Sequence, residues 1–146
     1  MGTLTALTGS RIYLDANVFI YAVEGLQPFA ARLAGLFVRF DRGELHAITS
    51  ELTVAEVLVK PVRDGNVALR DTFQQMLRSS ASITMIPISR QILEHAATLR
   101  AGSSVKLPDA IHAATALLEQ CATFLTNDRF FAALPGLPVL HLPDLS

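Results

Sequence analysis

Four carboxylates in this chain stand in company that acidic side chains normally avoid. Asp15 follows the run Ile12-Tyr13-Leu14 and precedes Ala16-Asn17-Val18-Phe19. Glu56 shares a helical spacing of three, four and seven with Leu52, Ala55 and Val59, which predicts that it lies on an apolar stripe. Asp109 opens a helical segment after Leu107-Pro108, and Asp128 closes the run Thr123-Phe124-Leu125-Thr126-Asn127. A carboxylate among apolar groups is costly unless it is paired, protonated or bound to a cation. Each of the four also has an ordinary explanation when taken alone. Asp15 can cap a helix, Glu56 can pair with an arginine at the stripe's edge, and Asp128 can belong to an Asn-Asp turn. Asp109 can answer a helix dipole, an effect worth only about 0.3–1 kcal/mol.

Taken jointly, the four are harder to dismiss. In a parallel sheet, strand ends and the helix starts that follow them share one rim, where open α/β sheets bind ligands. Two carboxylates about 4 Å apart repel by roughly 4 kcal/mol at an effective dielectric near 20. A cluster of such groups therefore calls for cations, protons or arginines. Oxygen donors without Cys or His favour Mg²⁺ or Mn²⁺. Such ions suit phosphodiester hydrolysis, in which charge develops on phosphoryl oxygens. The other acidic residues have duller places: Asp41, Glu44, Asp64 and Asp71 among polar or turn residues, Glu94 and Glu119 on solvated helix faces, and Asp144 in a frayed tail.

The elements that must position these groups alternate between strand and helix. Strands are predicted at residues 11–14, 46–49, 83–88, 123–125 and 138–141, with Pro87 placing the third at an edge or end. Helices are predicted at 17–23, 28–40, 66–79, 89–100 and 108–121, and a short one at 128–134. A further helix, capped by Ser50, is expected to stop at Pro61. This alternation predicts parallel βαβ units with helices covering both faces of the sheet. No repeat or linker divides the 146 residues, so a single domain over 1–146 is expected.

Composition excludes several classes. At 51% hydrophobic and 17% charged, the chain is too apolar to be disordered. No apolar run reaches the roughly 18 residues of a spanning helix, and the first ten residues lack the pattern of a signal peptide. A cytoplasmic protein without a membrane partner is expected. The single cysteine, Cys121, can form neither an internal disulfide nor a zinc site alone, and reads as a buried thiol. The net charge of -1 is not that of a tight non-specific nucleic-acid binder.

Four stretches in order resemble the PIN-domain family, particularly its VapC-type toxins. They are Tyr-Leu-Asp-Ala-Asn-Val-Phe-Ile-Tyr (13–21), Ile-Thr-Ser-Glu-Leu-Thr-Val-Ala-Glu-Val-Leu (48–58), Leu-Pro-Asp-Ala-Ile-His-Ala-Ala-Thr-Ala (107–116) and Phe-Leu-Thr-Asn-Asp-Arg-Phe-Phe (124–131). The resemblance implies a three-layer α/β/α fold with a mostly parallel five-stranded sheet. It assigns the catalytic and metal-ligand roles to Asp15, Glu56, Asp109 and Asp128, with Asn17, Ser50 and Thr126 in support. It further implies Mg²⁺ or Mn²⁺, cleavage of RNA, a homodimer and a cognate antitoxin of a type II toxin–antitoxin system. His112 stands where related sequences often carry an apolar residue, and is read as a helix-face variant rather than a base. Arg11, Arg63, Lys106 and Arg129 are candidates for phosphate contact, though solvated cations are the simpler reading of each.

Three other readings stay open at this level. One is a PIN nuclease of RNA processing that is not a toxin. Another is a catalytically silent module whose acidic groove binds a partner's arginines. The third is phosphotransfer through Asp15, against which stands Asn17, where the haloacid-dehalogenase pattern has a second Asp.

Overall fold

A computed structural model describes residues 10–145. The signal-peptide expectation rests on the segment before them and lies outside the described residues. Strand β1 (Arg11–Leu14) is followed by α1 (Ala16–Glu24), α2 (Ala30–Asp41), β2 (His46–Ser50), α3 (Leu52–Asp64) and α4 (Val67–Met76). Then come β3 (Ile83–Ile86), α5 (Arg90–Ala101), α6 (Leu107–Leu118), β4 (Thr123–Thr126) and β5 (Val139–His141). The five strands form one sheet in the order β3-β2-β1-β4-β5, parallel at every pairing.

Alternation along the strands builds the three layers. Successive residues of a strand point to opposite faces. Ile12 and Leu14 of β1, with Ala47 and Leu125, join Phe19, Leu33, Leu36, Phe40, Val57 and Phe73 from α1 to α4 in one core. Tyr13, Ile48 and Phe124 face the other way and pack on Ile92, Ala96, Ile111 and Ala114 of α5 and α6. On that side Tyr13 stacks on Phe124 with centroids 5.0 Å apart, and Phe124 meets Phe131 at 4.6 Å. Both sheet faces are dry, which is why β1 and β4 read as near-continuous apolar runs.

The path of the chain fixes where a site can form. It steps outward from β1 to β2 to β3, then crosses the sheet through α5 and α6 to place β4 on the free side of β1. The order therefore reverses between β1 and β4, and the crevice at the carboxyl ends of those strands is the place such sheets offer to ligands. Asp15 and Asp128 both lie there.

Several local expectations change. Helix α3 runs through Pro61 to Asp64 and ends at Gly65, whose φ of +67° suits a residue without Cβ. Pro61 is buried, and that packing offsets the backbone hydrogen bond its ring cannot donate. The apolar stripe of α3 is Thr53, Val57 and Pro61, not Leu52, Ala55, Glu56 and Val59; Ala55 and Val59 face solvent. The segment around Asp144 is docked: Leu142 and Leu145, on either side of it, are buried in the core. Phe40, Phe73 and Phe131 are interior and Phe37 is half-buried, so they form no exposed patch.

Candidate active site

Asp15 is held more tightly than any other acidic side chain of the rim. It sits one residue past β1, its own N–H donating to Leu125 O of β4. It caps α1: Oδ1 accepts from Ala16 N at 2.8 Å. Oδ2 accepts from Thr126 Oγ1 at 2.7 Å and from Asn17 Nδ2 at 3.2 Å. Only 6% of Asp15 is exposed. Burial raises its carboxyl above the usual range and the Glu56 charge adds to this, against the pull of His112, Thr126 and the Ala16 N–H.

Asn17 and Thr126 do more than touch Asp15. Asn17 Oδ1 accepts from Asn127 N at 3.2 Å, tying α1 to the end of β4. Thr126 Oγ1 accepts from Asp128 N at 3.0 Å, so one hydroxyl links Asp15 to the turn that carries Asp128. Asp128 in turn caps the 3-10 turn Arg129–Ala133 through Oδ1, which accepts from Phe130 N at 2.9 Å. Ser50 is buried at the end of β2, and its Oγ accepts from Leu52 N at 3.0 Å. It thereby opens α3, the helix that presents Glu56, from one position before the helix's formal cap.

Asp109 lies in the first turn of α6, half-buried and without a hydrogen-bond donor among the described residues. Its carboxyl is pushed up to about 6, first by burial, then by the charges of Asp15 and Asp128, with Glu56 adding to them. Asp109 on α6 thus feels the charges of the other three carboxylates, and Asp15 feels that of Glu56. Among the described residues no lysine or arginine forms an ion pair with any of them.

The basic side chain that does meet them is one set aside as a helix-face variant. His112 is fully buried. Its Nε2 lies 2.5 Å from Glu56 Oε1 and 4.0 Å from Asp15 Oδ1, and its Nδ1 lies 2.6 Å from the Tyr13 hydroxyl. Burial alone would lower its pKa, but the Glu56 hydrogen bond and the charges of Asp15, Glu56 and Asp109 outweigh that, and the net direction is upward. A signal was present in the sequence. His112 is three residues beyond Asp109, hence on the same side of α6, and is the only large polar side chain within Ala110–Ala116.

The four suggested phosphate contacts separate. Arg11 starts β1, at the opposite end of the strand from Asp15, and pairs with Glu119 at 2.8 Å; neither is a lone solvated charge. Arg63 is exposed near the far end of α3. Lys106 precedes α6 and Arg129 follows Asp128, both exposed. Lys106, Asp109, Asp128 and Phe130 line a cleft of about 140 Å³ with Ser104 and Val105. Phe130 is 74% exposed there. Cys121 is buried, and its thiol is pushed up to about 11 chiefly by that burial.

The donor set fits a hard divalent cation. It offers carboxylate oxygens with hydroxyl and amide support, and the charges of Asp15, Asp128 and Glu56 push Asp109 up with His112 alone pulling the other way. It is a shared rim rather than a closed cage: among the described residues no three His, Cys, Asp or Glu side chains already gather at metal-holding distance.

Residues 12–137 match the family model described as the PIN domain. The chain belongs to the PIN-domain family. That span includes both ends of the rim, from Asp15 to Asp128. No curated protein sequence matches the chain. Solved structures do. VapBC2 from Rickettsia felis, bound to a DNA fragment from its promoter, superposes with a TM-score of 0.71 at 18% identity, covering 90% of this PIN chain and 98% of that one. A toxin–antitoxin complex from Klebsiella pneumoniae has a TM-score of 0.68 at 25% identity, covering 90% and 97%. VapC20 from Mycobacterium tuberculosis, a toxin that cleaves the sarcin–ricin loop, has a TM-score of 0.66 at 11% identity, covering 87% and 98%. The three-layer PIN fold with its five-stranded sheet is shared across these structures.

Proposed function

We propose that this PIN domain is a metal-dependent endoribonuclease, the toxin of a type II toxin–antitoxin pair. In this reading Asp15, Glu56, Asp109 and Asp128 hold Mg²⁺ or Mn²⁺. The observation that carries it is the rim itself: four carboxylates from four elements near the topological switch, three of them acting on Asp109, and unmatched by lysine or arginine. Family membership and the likeness to toxin–antitoxin complexes support the same reading.

When bound, a divalent ion polarises a phosphoryl oxygen and makes water more acidic. The protein's own groups do the rest. Asp15, fixed by three donors, defines the floor of the site. Asp128 spends Oδ1 on its cap and keeps Oδ2 for a ligand. Glu56 accepts from His112 through Oε1, while Oε2 receives no hydrogen bond from the described residues. Oε2 is the atom that takes the proton of an attacking water. The cleft beside Asp109 and Asp128 receives the RNA strand, with Phe130 offering a ring for a base and Lys106 a charge for a phosphate. No helix among the described residues is long and apolar enough to cross a membrane. Action on RNA in the cytoplasm is part of the same proposal. A single domain, a homodimer and an antitoxin partner belong to the same proposal.

The test is cleavage of labelled single-stranded and structured RNAs by the purified protein with Mg²⁺, with Mn²⁺ and with EDTA. Metal-dependent cutting is expected. A protein that binds no Mn²⁺ and cuts none of these RNAs would instead be an acidic interaction module.

A further inference from the structure

His112 is the only fully buried histidine among the described residues, and both of its ring nitrogens are engaged. The partner of Nε2 is a carboxylate, which only accepts, so Nε2 carries hydrogen whether the ring is neutral or charged. The partner of Nδ1 is the hydroxyl of Tyr13, a side chain with no exposed surface, stacked on Phe124 and fixed in the middle strand of the sheet. The imidazole is therefore held from the sheet and aimed at Glu56.

Glu56 needs such an anchor. It reaches the rim from a half-exposed position on α3, beside the buried stripe of Thr53, Val57 and Pro61 rather than on it. Its side chain has three rotatable bonds, and its one hydrogen bond to the described residues is the one from His112. Asp15, by contrast, is set by the Ala16 N–H, Asn17 and Thr126. His112 Nε2 lies between the two carboxylates, bonded to one and 4.0 Å from the other.

We propose that His112 is a positioning residue that holds the Glu56 carboxylate against the metal-binding rim, with Tyr13 fixing the ring that does so. The inference rests on the metal-dependent reading given above. Hydrogen-bond partners that orient metal ligands typically contribute 10- to 100-fold in metal affinity or activity.

The experiment measures Mn²⁺ affinity by calorimetry, alongside RNA cleavage, for wild type, His112→Leu, His112→Gln, His112→Asn, Glu56→Gln and the double variant Glu56→Gln/His112→Leu. The Gln amide reaches the position of Nε2, whereas the shorter Asn amide stops near Nδ1. Expected are a loss of roughly 10- to 100-fold in Mn²⁺ affinity for His112→Leu and His112→Asn, and recovery of most of it in His112→Gln. In the Glu56→Gln background, His112→Leu should add little, because its effect passes through Glu56. Should the Leu variant fail to fold, the Gln and Asn pair carries the same comparison. Wild-type affinity in both Leu and Asn variants overturns the inference. So does a Gln variant as weak as Asn, or a Leu effect that persists undiminished without Glu56. A wild-type protein that binds no Mn²⁺ overturns the metal-dependent reading, and this inference with it.

Discussion

Thr126 Oγ1 donates to Asp15 Oδ2 at 2.7 Å, joining residues 111 positions apart in the chain. The same oxygen accepts from Asp128 N, so a single hydroxyl spans the switch between β1 and β4. Thr126→Val keeps the shape and removes both bonds. A hydrogen bond to a charged group is worth about 1.5–3 kcal/mol, and the Asp15 carboxylate would lose a donor it cannot replace from water. The melting temperature should fall by several degrees, and Thr126→Ser should recover most of the loss. Calorimetric melting of the two variants checks this.

Asp15→Asn should abolish RNA cleavage while the fold survives. Asn caps helices about as well as Asp, so α1 keeps its start. The rim also loses a charge that repels Glu56 and Asp109, which stabilises the ion-free protein. Cleavage assays together with melting curves in EDTA test both halves. Undiminished cutting by this variant would remove Asp15 from the catalytic set.

The ion-free protein should lose stability as pH rises from about 4 to about 6. Asp109 has a folded value of about 6 against an ordinary 3.8, so the folded chain keeps a proton that the unfolded chain releases in this interval. Asp15 is shifted in the same direction. His112 adds the same sign at higher pH: its raised pKa gives stability below 6.5 that is lost as pH climbs through the folded value. Melting temperatures in EDTA should decline across these ranges, less steeply between 4 and 6 in Asp109→Asn. Excess Mg²⁺ should reverse the decline near neutral pH, since a ligand that binds only the folded state stabilises it.

Phe130→Ala should weaken substrate binding with little effect on turnover or stability. The ring is 74% exposed and contributes little to the core, yet it lines the cleft next to Asp109 and Asp128. Stacking of a base on an aromatic ring is worth about 1–3 kcal/mol, or roughly 5- to 150-fold in KM. Steady-state kinetics on a short single-stranded RNA would reveal the rise. An unchanged KM would remove Phe130 from the substrate path.

Much of the fold was legible because parallel strands buried on both faces leave a plain signature. Ile12-Tyr13-Leu14 and Thr123 to Leu125 read as strands, and Pro87 correctly marked the end of β3 at the sheet's edge. The rim was legible for a related reason: Asp15 and Asp128 break apolar runs where the chain leaves the sheet. Glu56 was reached by a less sound route. The stripe drawn through Leu52, Ala55 and Val59 is not the buried one, because the hydroxyl of Thr53 and the ring of Pro61 face the core while Val59 does not. Thr53 can do so because its hydroxyl finds Thr49 Oγ1 at 2.7 Å, a contact back to the strand before the helix that helical periodicity does not encode. His112 was set aside because a lone imidazole on a small-residue helix has no meaning until Tyr13 and Glu56, from other elements, are placed around it. Arg11 and Glu119 were treated as separate surface charges for the same reason.

The sheet order also governs when the site exists. Strand β1 is made first, but it ends in the middle of the sheet, and one of its two neighbours is β4. A nascent chain on the ribosome carries Asp15 long before Thr126 and Asp128 have been synthesised. Until β4 is made the rim is missing an entire side, and no truncated product ending before β4 can supply it. A polypeptide that stops short of β4 lacks Asp128 and the Thr126 hydroxyl that holds Asp15. The rim becomes whole only after β4 and the turn that carries Asp128 have been made.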